Sequence, residues 1–273
     1  MSKVLIEEST QVLLEALQKK MPQSILLHGE TGVGLSAVAG ELAKGFGNNV
    51  ITVLPEKNEV VDIEKGNITI ASIRKLYDLT RTKGSKKLII IDYAERMATP
   101  AQNAFLKLLE EPNDQTFFAL LSHDPAKLLP TVLSRVQSLE VRPITKVSSE
   151  ELLDELGVKD EARRQQLLFM ASGLPAELMR LQDENYFEKQ AQIVKDAHLF
   201  VTGRSYQRSL LAHKYRDDRP RALLLIDIAL KLLKLDVIGK KDPSYLRSID
   251  KLLSAREAIV TNGNIRLQLS VAL

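Results

Sequence analysis

The chain has 273 residues, with 38 lysines and arginines against 35 aspartates and glutamates, 44% hydrophobic residues and no cysteine. Without cysteine there is no disulfide framework, no thiolate nucleophile and no cysteine-ligated zinc, and four scattered histidines make a poor alternative metal cage. The length accommodates two domains or three small ones, each with its own core. The opening MSKVLIEESTQVLLEALQKK carries acids inside its apolar stretch and no small-residue cleavage site, and no apolar run approaches the roughly 18 residues of a membrane span, so the expected setting is cytoplasmic.

Val4, Leu5, Val12, Leu13, Ala16 and Leu17 recur near helical spacing, so a helix is expected over 4–20, stopped at Met21-Pro22. Ile25-Leu26-Leu27 then reads as a short strand feeding the glycine-rich turn Gly29 to Ser36, and helix formers resume at Ala37. Strand 50–54 and a helix over 70–81, with Ile73, Leu76, Tyr77 and Thr80 at 3-4-3 spacing, come next. Leu88-Ile89-Ile90-Ile91 is a continuous apolar run of the kind found in a strand buried on both faces of a parallel sheet, and it closes on Asp92. Helix 100–110, strand 117–121, helix 128–134 and strand 138–141 complete a β-α alternation that predicts a doubly wound α/β domain over 1–143. Past Pro143 the strand signal ends. Short helices are expected over 144–187, interrupted at Gly157 and Gly173-Leu174-Pro175, and long amphipathic helices over 188–273. The segment from Leu223 to Leu235 is apolar almost all round, which suits a helix buried in a bundle or between subunits.

Gly29 to Ser36 fits the phosphate-binding pattern G-x-x-x-x-G-K-[ST] at every position but one, where Leu35 replaces the lysine. In a working loop of this kind backbone N–H groups cradle phosphate, the hydroxyl binds magnesium and the lysine neutralises the terminal phosphates. Gly29, Gly32, Gly34 and Ser36 keep the backbone and hydroxyl parts, while Leu35 donates nothing and would desolvate any phosphate set against it. Asp92 stands where a magnesium-orienting acid belongs, followed by Tyr93 rather than a water-activating carboxylate. ATP with magnesium is therefore expected to bind weakly or not at all, and no cofactor is required. His123 is no metal-ligand candidate. The run Arg74, Lys75, Arg81, Lys83, Lys86, Lys87 reads as a solvated basic face, and with 5% aromatics and no tryptophan no stacking platform for single-stranded DNA is indicated.

Three segments carry a resemblance: SILLHGETGVGLS, the long stretch from Lys86 to Val141 that includes NAFLKLLEEP and LLPTVLSR, and the C-terminal NGNIRLQLSVAL. Together they resemble the clamp-loader AAA+ family of bacterial DNA polymerase III, across essentially the whole chain. The resemblance implies an AAA+ domain, a small helical lid and a C-terminal helical collar that oligomerises with gamma/tau-type and delta-type subunits. Sliding clamp and primer-template DNA would be met through that assembly, with no membrane contact. It implies that Ser134-Arg135 matches the family's Ser-Arg-Cys motif, with Val136 in the cysteine position, and that Arg135 is an arginine finger acting on a neighbour's ATP. Such a finger is worth about 10³–10⁵ in rate. Ala176 stands where hydrolysing relatives place a lid arginine, Ser122-His123 closes its strand either as a cap or as a nucleotide sensor, and the four-cysteine zinc module of many relatives is absent. The expected role is a non-hydrolysing subunit, and the alternative is an autonomous gamma/tau-type ATPase with an unusual loop.

Overall fold

The computed structural model describes residues 6–63, 65–81, 86–111, 113–240 and 243–272. Val4, Leu5, Lys83 and Pro112, on which parts of the sequence reading rest, lie outside them. Two compact units divide the chain, residues 1–179 and 180–273.

The first unit opens with α1 (Glu8–Lys19), later than the apolar spacing suggested, because the Glu7 carboxylate accepts the Thr10 N–H at 3.0 Å and caps the helix there. In order follow β1 (Ser24–His28), α2 (Leu35–Ala43), β2 (Val50–Val53), the two-residue strands β3 (Glu56–Lys57) and β4 (Val60–Val61), and α3 (Ile70–Arg81). Next come β5 (Lys87–Ile91), α4 (Thr99–Glu110), β6 (Thr116–Ser122), α5 (Pro130–Leu133) and β7 (Gln137–Glu140). α5 is shorter than the helix expected over 128–134. Pro130 sits in its first turn and has no N–H to continue a helix backwards, while Pro125–Lys127 form a separate 3-10 turn.

The five long strands form one parallel sheet in the order β2-β5-β6-β1-β7. β1, β5 and β6 are buried on both faces, as their unbroken apolar runs require. Ile25, Leu27, Ala119 and Leu121 pack against Leu14 and Leu17 of α1 and Val38 and Leu42 of α2. On the other face Ile89, Ile91, Phe118 and Leu120 meet Ile73, Leu76, Phe105 and Val132 of α3, α4 and α5. Phe105 and Phe118 cross edge to face at 5.2 Å, joining α4 to the middle strand. Because all five strands run the same way, the turns after β1, β5 and β6 share one edge of the sheet, where ligands of such folds collect. The segments leading into β6 and β7 share the opposite edge.

Three short helices follow: α6 (Lys146–Glu155), α7 (Glu161–Ala171) and α8 (Pro175–Arg180). Ile144 N–H donates to Gly173 O at 2.8 Å, and Gly173 has φ +81°, with a Cβ there falling 2.6 Å from Ile144 O. Only glycine fits that crossing.

The second unit holds α9 (Glu184–Thr202), α10 (Ser205–Lys214), α11 (Arg219–Lys240), α12 (Pro243–Val260) and α13 (Ile265–Val271). The boundary expected at 187–188 would fall inside the continuous α9. Leu225, Ile226, Ile228, Ala229, Leu230 and Leu233 of α11 are buried, which accounts for its all-round apolarity within the helical unit. Asp196 of α9 is buried and accepts the Tyr215 hydroxyl at 2.7 Å together with the Lys214 ammonium, so a carboxylate in an apolar setting is matched by charge and hydrogen bond. Leu246, Leu253 and Val260, seven residues apart on α12, are exposed.

Candidate functional site

The glycine-rich turn leaves β1 and enters α2, with Gly32 at φ +95° and Gly34, the N-cap of α2, at φ +92°. Left-handed backbone at both positions bends the chain into the start of α2, where Gly34 O accepts the Ala37 and Val38 N–H groups at 3.0 and 3.1 Å. Gly29 is required for a different reason: a Cβ there would lie 2.4 Å from Val141 O. These glycines therefore build the loop that the sequence motif describes.

Leu35, however, does not point into it. The side chain is 2% exposed and belongs to the apolar cluster of Val33, Val38, Leu139 and Val141 under the sheet. Val33 N–H turns inward to Glu30 O at 3.1 Å. Ser36 Oγ donates to Asp92 Oδ2 at 3.1 Å, so the first turn of α2 is tied directly to the end of β5. Tyr93 N–H donates to the other Asp92 oxygen at 2.9 Å. Burial pushes the Asp92 carboxyl up, the Ser36 and Tyr93 hydrogen bonds and nearby His123 pull it down, and Glu95 adds to the rise. Glu95 Oε2 is itself buried with no hydrogen-bond partner.

His123, at the end of β6, places Nδ1 2.9 Å from Gly29 O and its ring edge-on to Tyr93 at 5.9 Å. The residue that could have been a strand cap or a sensor thus braces the loop from the neighbouring strand. From the short helices, Ala176 N–H donates to Gly32 O at 3.0 Å, and Leu174 and Glu177 lie against Gly32. Beside this contact an apolar hollow of about 340 Å³ is lined by Val33, Ala37, Leu152, Leu156, Pro175 and Met179.

Ser134 and Arg135 lie at the other edge of the sheet, in the turn between α5 and β7. Ser134 Oγ donates to Thr131 O at 3.1 Å. The Arg135 guanidinium donates to Thr131 O at 3.0 Å and Ser134 Oγ at 3.3 Å through Nη1, and pairs with Glu110 Oε1 at 2.9 Å through Nη2. Strands of four or five residues rise about 3.3 Å each, so roughly 15 Å of sheet separates this turn from the chain's own loop. Gly29, Gly32, Gly34, Leu35, Ser36 and Asp92 gather at one edge; Arg135 and Ser134 do not join them.

Gln102 is a site residue that the sequence reading missed. It is 3% exposed on α4 and donates to Met97 O at 3.0 Å and Lys127 O at 3.1 Å, while its carbonyl accepts Leu129 N–H at 2.7 Å. One amide thereby joins the turn after Asp92 to the segment that carries Arg135. The available signal was a polar residue on the buried face marked by Ala101, Phe105 and Leu108.

A family model described as DNA polymerase III, delta subunit, matches residues 7–145, half of the chain. The chain belongs to that family. Similar curated proteins of this DNA polymerase III family include the delta-prime subunits of Bacillus subtilis, 33% identical over 46% of this chain and 38% of theirs, and of Pseudomonas aeruginosa, 37% identical over 42% and 36%. The matched stretches thus span well under half the length of these relatives. Among solved structures, a DNA polymerase III gamma-subunit-related protein of Thermotoga maritima is 21% identical, with 97% of each chain covered and a TM-score of 0.54. That likeness bears on the fold: a parallel α/β domain followed by helices, as the β-α alternation predicts.

Proposed function

We propose that this chain is a non-hydrolysing, delta-prime-like subunit of the DNA polymerase III clamp loader, which supplies Arg135 to a neighbouring ATPase during loading of the sliding clamp on primed DNA. The observation that carries this is the separation of the two functional elements. Arg135 stands at the sheet edge opposite the loop, so a phosphate it reaches belongs to another molecule.

The loop's own residues do not suit a magnesium triphosphate. Leu35 is part of the core, the Ser36 hydroxyl is donated to Asp92, and Ala176 supplies no cation from the lid side. A triphosphate pressed on this loop would lose water and gain backbone N–H groups with no neutralising side chain. The loop instead works as a structural joint: Ser36–Asp92, His123–Gly29 and Ala176–Gly32 fasten three strand ends and the lid to one another. A rigid joint keeps the subunit in one shape while its neighbours cycle.

The exposed stripe Leu246, Leu253 and Val260 on α12 supports a role for the second unit in oligomerisation with gamma/tau-type and delta-type subunits, through which clamp and DNA would be met. Two measurements test the proposal together. The purified chain should show no ATP turnover and no melting shift with millimolar Mg-ATP, and it should raise hydrolysis when added to its ATPase partners. Turnover by the isolated chain would instead favour the autonomous ATPase reading.

A further inference from the structure

We propose that Glu110 is a holding partner for Arg135, which keeps the guanidinium neutralised on this subunit until a neighbour's triphosphate displaces the carboxylate. The inference rests on the trans role of Arg135 proposed above. Glu110 ends α4 and Arg135 follows α5, so the two are 25 residues apart in sequence and meet only because α4 and α5 lie on the same sheet face.

The geometry splits the guanidinium into a fixed half and an exchangeable half. Nη1 is held by Thr131 O of α5 and Ser134 Oγ of the turn that follows it, within four residues of Arg135, so these contacts travel with the residue. Nη2 reaches across to Glu110 Oε1 at 2.9 Å, on another helix. Both charged side chains are about half in solvent, 38% and 49% exposed. An ion pair this exposed biases an equilibrium by no more than about fivefold, because water screens it and two long side chains must be held still. A triphosphate offers more charge and several acceptors, so it outcompetes one carboxylate. The contact is strong enough to hold the guanidinium against its own surface and weak enough to be exchanged.

The expected kinetic effect follows from what the carboxylate competes with. Glu110 opposes the contact of Arg135 with the bound triphosphate and with the transition state alike, so removing it strengthens both equally. Uniform strengthening lowers KM and leaves kcat unchanged. A carboxylate that instead aimed the guanidinium at the transition state would lower kcat when removed.

The test uses the complex of this chain with the gamma- or tau-type ATPase of the same organism, following DNA-stimulated hydrolysis against ATP concentration. Glu110→Gln, which keeps size but loses charge, should lower KM about two- to fivefold with kcat within twofold. Glu110→Asp, charged but shorter, should fall between parent and glutamine variant. The double variant Glu110→Gln, Arg135→Ala should match Arg135→Ala alone, since Glu110 acts only through Arg135. Unchanged KM or a fall in kcat for Glu110→Gln would overturn the proposal. If Arg135→Ala alone leaves hydrolysis untouched, the trans role fails first and the holding role with it, an outcome distinct from failure of Glu110→Gln beside a defective Arg135→Ala.

Discussion

Leu35→Lys restores at a stroke the residue that phosphate-binding loops carry, and the structure says what it costs. Leu35 is 2% exposed among Val33, Val38, Leu139 and Val141, so the substitution removes a buried branched side chain and sends an ammonium towards the core. Losing the burial alone is worth about 1.5–3 kcal/mol, and incomplete collapse of the space left behind adds to it. The lysine stem recovers part of this by lying along the apolar wall while the charge escapes to the loop. A net loss of about 2–4 kcal/mol is expected, and with about 2–4 °C per kcal/mol for a chain of this size the melting temperature should drop by roughly 5–15 °C. Leu35→Met, which conserves volume, should lose less than about 1.5 kcal/mol. Urea unfolding followed by circular dichroism, with all samples free of nucleotide, measures both. A Leu35→Lys chain as stable as the parent would mean that the side chain already faces the loop, and the claim that the loop is a structural joint would fall.

Two further expectations concern polar residues that join neighbouring elements of the first unit. Gln102→Ala strips partners from Met97 O, Lys127 O and Leu129 N–H at once and should cost about 2–4 kcal/mol, at the upper end of single polar losses; a loss under about 0.5 kcal/mol in urea unfolding would show that the bridge is not made. Asp92 has a raised carboxyl, so the folded chain holds its proton more tightly than the unfolded one. Its contribution therefore favours the fold at low pH and is lost as pH rises through the folded value. Asp92→Asn, neutral throughout, should gain on the parent in melting temperature between pH 4 and pH 7, and a difference that stays constant or shrinks over that range would contradict the burial effect.

What was legible in the sequence was the part written in local pattern. The unbroken apolar run Leu88 to Ile91 announces a strand covered on both sides, and glycines at 29, 32 and 34 announce a backbone that needs left-handed turns or close approach. The β3–β4 hairpin left no such trace. Its strands are two residues long, and the turn residues Asn58 and Glu59 both take positive φ, at 52° and 64°, where a glycine would have given the turn away. α1 starts at Glu8, with Ile6 and Glu7 outside it, because of the Glu7 cap, which apolar periodicity does not weigh. Pairings across the fold were illegible for a simpler reason. Gln102 with Leu129, Glu110 with Arg135 and Ser36 with Asp92 are contacts between elements, and no spacing along one element encodes them. The inward turn of Leu35 belongs to the same class: the letter shows a missing charge, and only the packed loop shows where the replacement went.

The central claim is that Arg135 works on a neighbour's nucleotide, and Arg135→Ala tests it most directly. The variant should fold, melt near the parent and still assemble with its ATPase partners, since Arg135 is a half-exposed surface side chain. Single-turnover hydrolysis at the site it completes should then fall by about 10³ or more. Hydrolysis that proceeds at the parental rate in an intact assembly would contradict the account.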